Sequence, residues 1–579
     1  MKMKKLPVGV SDFKDIVSGN YYYVDKSLFI KEIMDKGDKI LLIPRPRRFG
    51  KTLNLSMLRY FYDCCPEILA SRTRSLPGGT GTPGNSYKKL FDSLGISRAG
   101  QKYLDHMGKY PVIFLSFRDI KELDGETCMD KIEGLIHDEY SRHYYLLESK
   151  ELIPPEKDYF KRIIERKGSR GDYEKSLEKL LIFLNRHYGE RAVILIDEYD
   201  APVHAGYDHE YYDEIINFMR NFLCGGLKDT DQYLEKSVIT GIMRIARESI
   251  FSGLNNPGVY TLLSEEFGDK FGFTEREVET LLNDYQQLDM YDQVQTWYNG
   301  YRFGEEIIYN PWSIINFLGS KGKKLKPYWS NTSDNKIVEF LLSKGGKELK
   351  EELEQLIRGE AIEKIIEENI VLKDIPLREN LLWSFLLMVG YLKQTPKKMD
   401  PATGRMHYAL SIPNMEVKTI YINIVESFFT DKIENKKLEI MLKSLLEGDI
   451  DVFEEIFCDY VVKSMSFFDT AGEPEKVYHA FVMGLFLWLS PAYEVKSNRE
   501  SGYGRYDIMI FPVEKNKLGF IIEFKKARKK ETLESAVKSA LEQIEKQKYE
   551  NELQQRGIKN YKKLAIVFKG KEVTVKEGC

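Results

Sequence analysis

The sequence of 579 residues has few cysteines, no long hydrophobic run and a net charge of only -3. Its six cysteines show no C-x-x-C spacing, which argues against a disulfide framework and indicates reduced thiols. The most apolar stretch, residues 480–490, is too short to span a bilayer, and the N-terminus lacks the apolar segment of a signal peptide. These absences predict a soluble cytoplasmic protein that has no membrane partner.

The small net charge conceals an uneven distribution. Residues 491–579 contain 20 Lys and Arg against 13 Asp and Glu, a local charge of +7 that leaves -10 for the rest of the chain. A basic segment of this kind fits a polyanionic partner, and it equally fits a solvated lysine-rich surface. The charge therefore allows nucleic acid as a partner without requiring it.

Residues 39–63 contain a short apolar strand, a loop that ends in Gly-Lys-Thr, and a stretch of helical periodicity. This is the context of a phosphate-binding loop, in which backbone N–H groups and a helix N-terminus hold the phosphates. Lys51 would reach the β- and γ-phosphates, and Thr52 would bind Mg²⁺. Arg45, however, replaces the usual first glycine and lies between two prolines that have no N–H to donate. The residues alone leave a working, a degenerate or a chance loop open.

Residues 191–203, RAVILIDEYDAPV, form an apolar run that ends in two adjacent carboxylates. This pattern matches a Walker B element, in which Asp197 holds Mg²⁺ through water and Glu198 acts as general base on the attacking water. Asp200 is an alternative base, and a plain strand ending in a polar turn is the alternative interpretation. Because both elements occur in the expected order, the sequence favours nucleotide binding.

Two further apolar strands, at residues 109–119 and 237–246, predict a parallel sheet with helical crossovers. The fold predicted for this region is the doubly wound α/β sheet of P-loop NTPases, of the class with a catalytic glutamate. Thr240 would then lie near the γ-phosphate. Arg244 and Arg247 would read phosphate or a neighbouring subunit of a homo-oligomer, or would be ordinary surface residues.

Residues 493–527 contain the second informative pattern. Asp507 is followed after a hairpin of about sixteen residues by Glu523 and Lys525, which share one strand face because they are two apart. Two such carboxylates would hold Mg²⁺ or Mn²⁺, and the lysine would position or deprotonate a nucleophile. A charged solvent face is the alternative, although carboxylates in apolar strands are costly when unpaired. Glu500 is a further candidate metal ligand, and Arg505 is a candidate phosphate contact.

Five segments together resemble the bacterial AAA-ATPase-like family, whose members often carry a C-terminal PD-(D/E)XK nuclease-like domain. They are PVGVSDFKDIVSGNYYYVDKSLFIKEI, RPRRFGKT, LIDEYDAPV, TGIMRIARESIFSGLNN and FGFTEREV. An arginine at the first loop position is usual in that family, so the resemblance identifies the loop as a working variant. It implies ATP and Mg²⁺ as cofactors, and Gln543 as a residue that orients the nuclease site. The implied nucleotide-binding residues are Arg45, Arg47, Arg48, Phe49, Gly50, Lys51, Thr52, Asp197, Thr240 and Arg244.

These patterns predict three domains: a P-loop AAA-ATPase-like domain at 1–270, a mainly helical coupling region at 271–469, and a restriction-endonuclease-like α/β domain at 470–579. In the middle region, Thr274 and Glu277 predict a capped helix. The aromatic residues of 296–318 would stack on nucleic-acid bases or, as their local pattern favours, pack into a core.

The leading hypothesis is an ATPase coupled to a metal-dependent nuclease that acts on nucleic acid, with DNA favoured over RNA. A second hypothesis is a nucleotide switch whose C-terminal domain binds nucleic acid without cutting it. A third is an ATP-dependent scaffold for a protein partner, in which Asp507, Glu523 and Lys525 would be dispensable.

Overall fold

The computed structural model describes most of the chain. The described residues are 3–64, 87–245, 257–329, 347–399, 404–421, 435–465 and 489–578, the last range without 490–491, 498–499, 502–503, 506, 529–530 and 570–571. Arg247 and the side chains of Glu500 and Arg505 lie outside them. The chain divides into two compact units, unit 1 (Met1–Asp334 and Glu363–Val417) and unit 2 (Asn335–Ile362 and Lys418–Cys579). The region predicted as a separate middle domain is thus divided between the two units.

Helices and strands alternate along unit 1, and a strand-rich segment ends unit 2. The described helices are α1 (Phe13–Ser18), α2 (Leu28–Asp35), α3 (Lys51–Tyr62), α4 (Gln101–Leu104), α5 (Gly125–Arg142), α6 (Pro154–Ile164), α7 (Arg170–Glu174), α8 (Ser176–Tyr188), α9 (Ala201–Asp208), α10 (Tyr212–Leu227), α11 (Glu275–Asp284), α12 (Tyr291–Tyr298), α13 (Pro311–Gly319), α14 (Lys347–Arg358), α15 (Glu379–Met388), α16 (Asn435–Glu447), α17 (Ile450–Met465), α18 (Leu533–Gln547) and α19 (Glu550–Gln555). The described strands are β1 (Ile40–Pro44), β2 (Val112–Ser116), β3 (Ala192–Asp197), β4 (Leu234–Gly241), β5 (Arg244–Ile245), β6 (Gly258–Val259), β7 (Phe273–Thr274), β8 (Tyr301–Phe303), β9 (Glu306–Tyr309), β10 (Ile362–Ile365), β11 (Asn369–Ile370), β12 (Lys393–Met399), β13 (Met406–Ser411), β14 (Tyr493–Ser497), β15 (Glu500–Ser501), β16 (Gly504–Arg505), β17 (Ile508–Pro512), β18 (Gly519–Lys526), β19 (Tyr561–Lys569) and β20 (Glu572–Glu577).

The N-terminal sheet consists of parallel strands in the order β2-β3-β4-β1-β6. Its strands β1 and β3 are buried along their whole length, as continuous apolar runs predict for a parallel sheet covered on both faces. Strand β4 lies between β1 and β3, and Ile43 pairs with Thr240. The carboxyl ends of β1, β3 and β4 therefore meet at one edge of the sheet, directly beside the loop that follows β1.

Two smaller sheets of unit 1 lie outside the N-terminal sheet, in the orders β7-β9-β8 and β10-β13-β12. The region after residue 270 therefore contains strands as well as the predicted helices. The predicted capped helix is confirmed, because Thr274 N–H donates to Glu277 and Glu277 N–H donates to the Thr274 hydroxyl at the start of α11. The expected core packing of the aromatic segment holds for Tyr298, Tyr301 and Phe303, which are buried.

The C-terminal sheet of unit 2 has the order β14-β17-β18-β19-β20, and its neighbours are antiparallel except for β18 and β19. One face packs against α16 and α17 through a core that includes Phe453, Ile522 and Ile566. The opposite face packs against α18, where Ala536 and Ala540 allow a close approach to the strands. Within the described residues, no helix has both the length and the apolar character that a membrane span needs.

Candidate functional sites

The loop between β1 and α3 makes a tight turn that leads directly into the start of the helix. Arg48 has a φ of 71° and Gly50 a φ of 88°, both in the left-handed region that a tight loop requires. Helix α3 then begins at Lys51 with Gly50 as its N-cap residue. The first N–H groups of the helix consequently point into the loop, as they do in sites that bind phosphate groups.

Arg45 lies beneath this loop and faces the protein interior. Its side chain is fully buried, and its guanidinium donates to the carbonyl oxygens of Pro44 at 2.8 Å and Tyr260 at 2.7 Å. The rings of Phe271 and Phe303 lie 5.2 Å from the guanidinium carbon. Burial lowers the pKa of Arg45 to about 9. The side chain that the sequence assigned to nucleotide binding is thus engaged in supporting the loop from below.

Asp197 connects the phosphate loop to the neighbouring strands. Its Oδ2 accepts a hydrogen bond from the Thr52 hydroxyl at 2.7 Å, and its Oδ1 accepts one from the Thr240 hydroxyl at 2.8 Å. The Ser116 hydroxyl, at the end of β2, lies 3.5 Å from Oδ2. Asp197 is fully buried. The structure therefore brings together three predicted residues from three separate segments.

Lys51 and Glu198 complete the polar centre of this site. The Lys51 ammonium donates to the carbonyl oxygens of Arg45 at 2.9 Å and Pro46 at 3.0 Å. Burial lowers the pKa of Lys51, and nearby carboxylates, Glu198 foremost, oppose that shift. Glu198 has a φ of 49°, an uncommon conformation for a residue with a side chain, and it follows directly after β3.

A cavity of about 460 Å³ opens in front of these residues, within the size range of small-molecule sites. Its lining includes the loop and helix start, Glu198, and two basic residues after β2 that the sequence did not single out, Arg118 and Lys121. The loop residues of the lining are Arg47, Arg48, Phe49, Gly50, Lys51 and Thr52.

Two further residues predicted to bind nucleotide are Phe49, which is part of the cavity lining, and Arg244, which is not. The Phe49 side chain is fully buried and packs against Tyr301 and Phe303, with ring centroids 4.9 and 5.2 Å away. Arg244 lies on β5, which pairs with β11, and among the described residues it is not part of the cavity lining.

Asp200, the alternative general base, is nearly fully buried. Its Oδ2 accepts hydrogen bonds from the N–H groups of Ile242 at 2.7 Å and Met243 at 3.2 Å. These bonds attach the start of α9 to the end of β4. The geometry supports Glu198 rather than Asp200 as the carboxylate that faces the cavity.

The C-terminal candidate site lies where β17 and β18 run side by side. The Asp507 carboxylate accepts the Phe524 N–H at 2.8 Å, which holds it beside the strand that carries Glu523. Glu523 is 3% exposed. Burial and then the neighbouring Asp507 carboxylate raise the pKa of Glu523 well above its usual range, although Lys525 opposes the shift. The predicted carboxylate pair and lysine therefore share one small region.

Helix α18 covers this group with two polar residues one turn apart. Gln543 donates to the Glu523 Oε1, and the Lys525 ammonium donates to the Ser539 hydroxyl. Residues four apart on a helix have nearly the same spacing as residues two apart on a strand, so each pair meets. Ser539 had no sequence signal of its own. Its place in the site follows from its contact with Lys525, which depends on how α18 packs on β18.

Glu500 and Arg505 are paired through their backbones, on the short antiparallel strands β15 and β16. Among the residues that the structure describes, no cluster of three or more His, Cys, Asp or Glu side chains forms a complete metal site. The Glu523 Oε2, however, is buried and has no hydrogen-bond partner within the described part of the chain. An unsatisfied carboxylate oxygen beside a second carboxylate fits a hard divalent cation.

Comparison with known proteins finds two family matches, and each matched segment contains one of these candidate sites. A family model described as "Predicted AAA-ATPase" matches residues 7–71 and 82–251, and a model of the PD-(D/E)XK nuclease superfamily matches residues 473–578. An uncharacterized protein in the vnfD 5' region of Azotobacter chroococcum mcd 1 is 27% identical over 426 residues, which cover 72% of this chain and 69% of that protein. The chain therefore carries an AAA-ATPase-like domain at its N-terminus and a PD-(D/E)XK nuclease superfamily domain at its C-terminus.

Proposed function

We propose that unit 1 contains a doubly wound P-loop NTPase domain that binds and hydrolyses ATP. The contact of Asp197 with both Thr52 and Thr240 carries this proposal, because it joins the start of α3, the end of β3 and the end of β4 at one point. Thr52 and Asp197 would hold Mg²⁺, the second directly or through water. Lys51 and the loop N–H groups bind the phosphates, and Glu198 accepts the proton of the attacking water.

We propose further that the C-terminal domain is a metal-dependent phosphodiesterase. The observation that carries it is the proximity of Asp507 to Glu523, whose second carboxylate oxygen has no partner among the described residues. These carboxylates would hold Mg²⁺ or Mn²⁺, which supplies water activation and charge neutralisation at the scissile phosphate. Lys525 positions the nucleophile, and Gln543 fixes the orientation of Glu523. The substrate class is nucleic acid, with DNA favoured over RNA.

The two activities together make the protein an ATPase coupled to a nuclease. We would incubate the full chain with labelled single- and double-stranded DNA and RNA, with Mg²⁺ or Mn²⁺, in the presence and absence of ATP. Asp507→Asn should abolish cleavage and leave ATP hydrolysis intact. Lys51→Ala should abolish ATP hydrolysis, and its effect on cleavage measures the coupling.

Glu514→Gln is the matched control, since this exposed carboxylate lies on the same hairpin and forms a surface ion pair with Lys517. It should cut as the wild type does. If ATP is hydrolysed but no substrate is cut under any condition, the nuclease proposal is wrong and a nucleotide switch takes its place.

A further inference from the structure

The residues that line the cavity of unit 1 form two chemically different groups, which we call its polar end and its apolar end; Tyr22, Trp312 and Ile315 of the second group pack against one hydrophobic cluster. The polar end is formed by the phosphate loop and Glu198. The other end is lined by apolar and aromatic side chains from two segments distant in sequence. They are Pro7, Val10 and Tyr22 near the N-terminus, and Pro311, Trp312 and Ile315 on helix α13. A nucleotide needs an apolar surface for its base next to the polar groups that bind its phosphates.

Two hydrogen bonds fix the position of Trp312, which is part of the apolar end. Its backbone N–H donates to the Asn310 side chain at 2.9 Å, and its indole N–H donates to the carbonyl oxygen of Tyr328 at 3.2 Å. The Arg48 guanidinium lies 4.3 Å from the centre of the indole ring. Because Arg48 belongs to the phosphate loop, the indole lies one side chain away from the phosphate end.

Two polar side chains of the lining near the apolar end, Lys26 and Tyr22, are already paired within the protein. The Lys26 ammonium donates to Glu277 at 2.6 Å and 2.7 Å, and the Tyr22 hydroxyl donates to Asp284 at 2.8 Å. A ligand group placed here is therefore recognised by its flat surface more than by charge. Aromatic and guanidinium planes bind a base in this way through stacking.

We infer that this apolar end is the base-binding subsite of the nucleotide, with Trp312 as its stacking residue and a purine as the base that covers it best. The inference rests on the proposed ATPase function and assigns the part of the ligand that the phosphate loop does not contact. It makes α13, outside the segment matched by the ATPase family model, part of the nucleotide site.

The test compares ATP, CTP and inorganic tripolyphosphate, each with Mg²⁺, by isothermal titration of the full chain. The wild type should bind ATP more tightly than CTP, and CTP more tightly than tripolyphosphate. Trp312→Ala should weaken the affinity for ATP on the order of tenfold to a hundredfold and leave the affinity for tripolyphosphate nearly unchanged. Trp312→Phe should retain most of the affinity for ATP, and it also shows whether loss of the indole disturbs folding.

Trp297→Phe is the control, because this half-buried tryptophan of the same region is not part of the described cavity lining. If Trp312→Ala weakens the binding of ATP and of tripolyphosphate equally, the indole only supports Arg48, and the inference would be wrong. Unchanged binding of ATP would also overturn it. A wild type that binds tripolyphosphate as tightly as ATP rejects the subsite alone, whereas a wild type that binds neither rejects the nucleotide site as a whole.

Discussion

At the scale of single residues, the role of Arg45 depends on the direction of its side chain, which the loop motif does not contain. The resemblance identified the arginine as a variant of the loop, but its side chain supports the loop from the interior instead of facing the cavity. The sequence could not reveal this direction, since the carbonyl of Tyr260 and the rings of Phe271 and Phe303 come from segments more than 200 residues away.

Arg45→Gly, which restores the usual first glycine, should therefore damage the protein instead of improving the loop. It removes the buried hydrogen bonds of the guanidinium, including those to Pro44 and Tyr260, and leaves a cavity beneath the loop, which lowers the free energy of unfolding by about 3 kcal/mol. Thermal unfolding would show a lower midpoint for unit 1. Arg47→Gly is the control, because Arg47 is only half-buried and lines the cavity. It should weaken ATP binding with little change in the midpoint, and the reverse pattern would contradict the assignment.

Glu416 is a second residue whose importance only the structure reveals. Its buried carboxylate accepts the Ser313 hydroxyl at 2.8 and 2.9 Å and the Trp329 N–H at 2.8 Å. It thereby fixes α13 directly beside Trp312. Burial raises the pKa of Glu416 to about 7 despite these bonds.

A raised pKa in the folded state predicts a specific pH dependence. The proton on Glu416 stabilises the fold fully below pH 4.5, its ordinary pKa, and this contribution is lost as the pH rises through about 7. The total is about 3 kcal/mol. Glu416→Gln should remove this dependence, so that its advantage over the wild type in thermal midpoint grows from pH 5 to pH 8. The exposed Glu306→Gln should follow the wild type, and parallel curves for all three proteins would contradict the prediction.

At the scale of elements, both large sheets have an edge strand that a helix side chain covers. On β2, the Phe114 N–H donates to Glu139 at 3.0 Å, and Arg142 donates to the Val112 carbonyl oxygen. On β20, the Val575 N–H donates to Glu454 at 2.9 Å. Edge strands with unpaired backbone groups invite pairing with other chains, so these contacts favour a monomeric sheet.

Glu454→Ala should expose the edge of β20. It removes bonds to the backbone of Val575 and to the Thr574 hydroxyl, which we expect to lower stability by about 1–3 kcal/mol and to increase aggregation. Glu455→Ala, the exposed neighbour on the same helix, should change neither. Thermal unfolding monitored with light scattering measures both effects. Equal behaviour of the two variants would show that the covering contact has no protective role.

The sequence predicted the strands that carry the chemistry more reliably than those that close the sheets. The segments 39–63, 191–203 and 493–527 contain β1, β3 and β18, because a short apolar run that is followed by charged residues is typical of a buried strand. Strands β14 and β20 were not predicted, since their short alternating patterns also fit exposed loops. The order of strands in space, which brings Thr240 to Asp197, is a tertiary property that no local pattern contains.

At the scale of the whole molecule, the two sites lie in two units that each have their own hydrophobic core. The described residues of the proposed nucleotide site belong to unit 1, and the carboxylate pair belongs to unit 2. Each ligand should therefore stabilise the unit that binds it. This separation makes ligand-induced stability a test of both sites that does not depend on catalysis.

Scanning calorimetry of the full chain should show two transitions that respond to different ligands. ATP with Mg²⁺ should raise the temperature of one transition, and Mn²⁺ alone should raise that of the other. Each ligand should add about 2.7 kcal/mol to the free energy of unfolding at a hundredfold excess over its dissociation constant. Lys51→Ala should lose only the first response. Glu523→Gln should lose only the second and should raise that transition without metal, because it removes a buried carboxylate that lies beside Asp507. A single transition that both ligands shift together would instead mean that the two units unfold as one body.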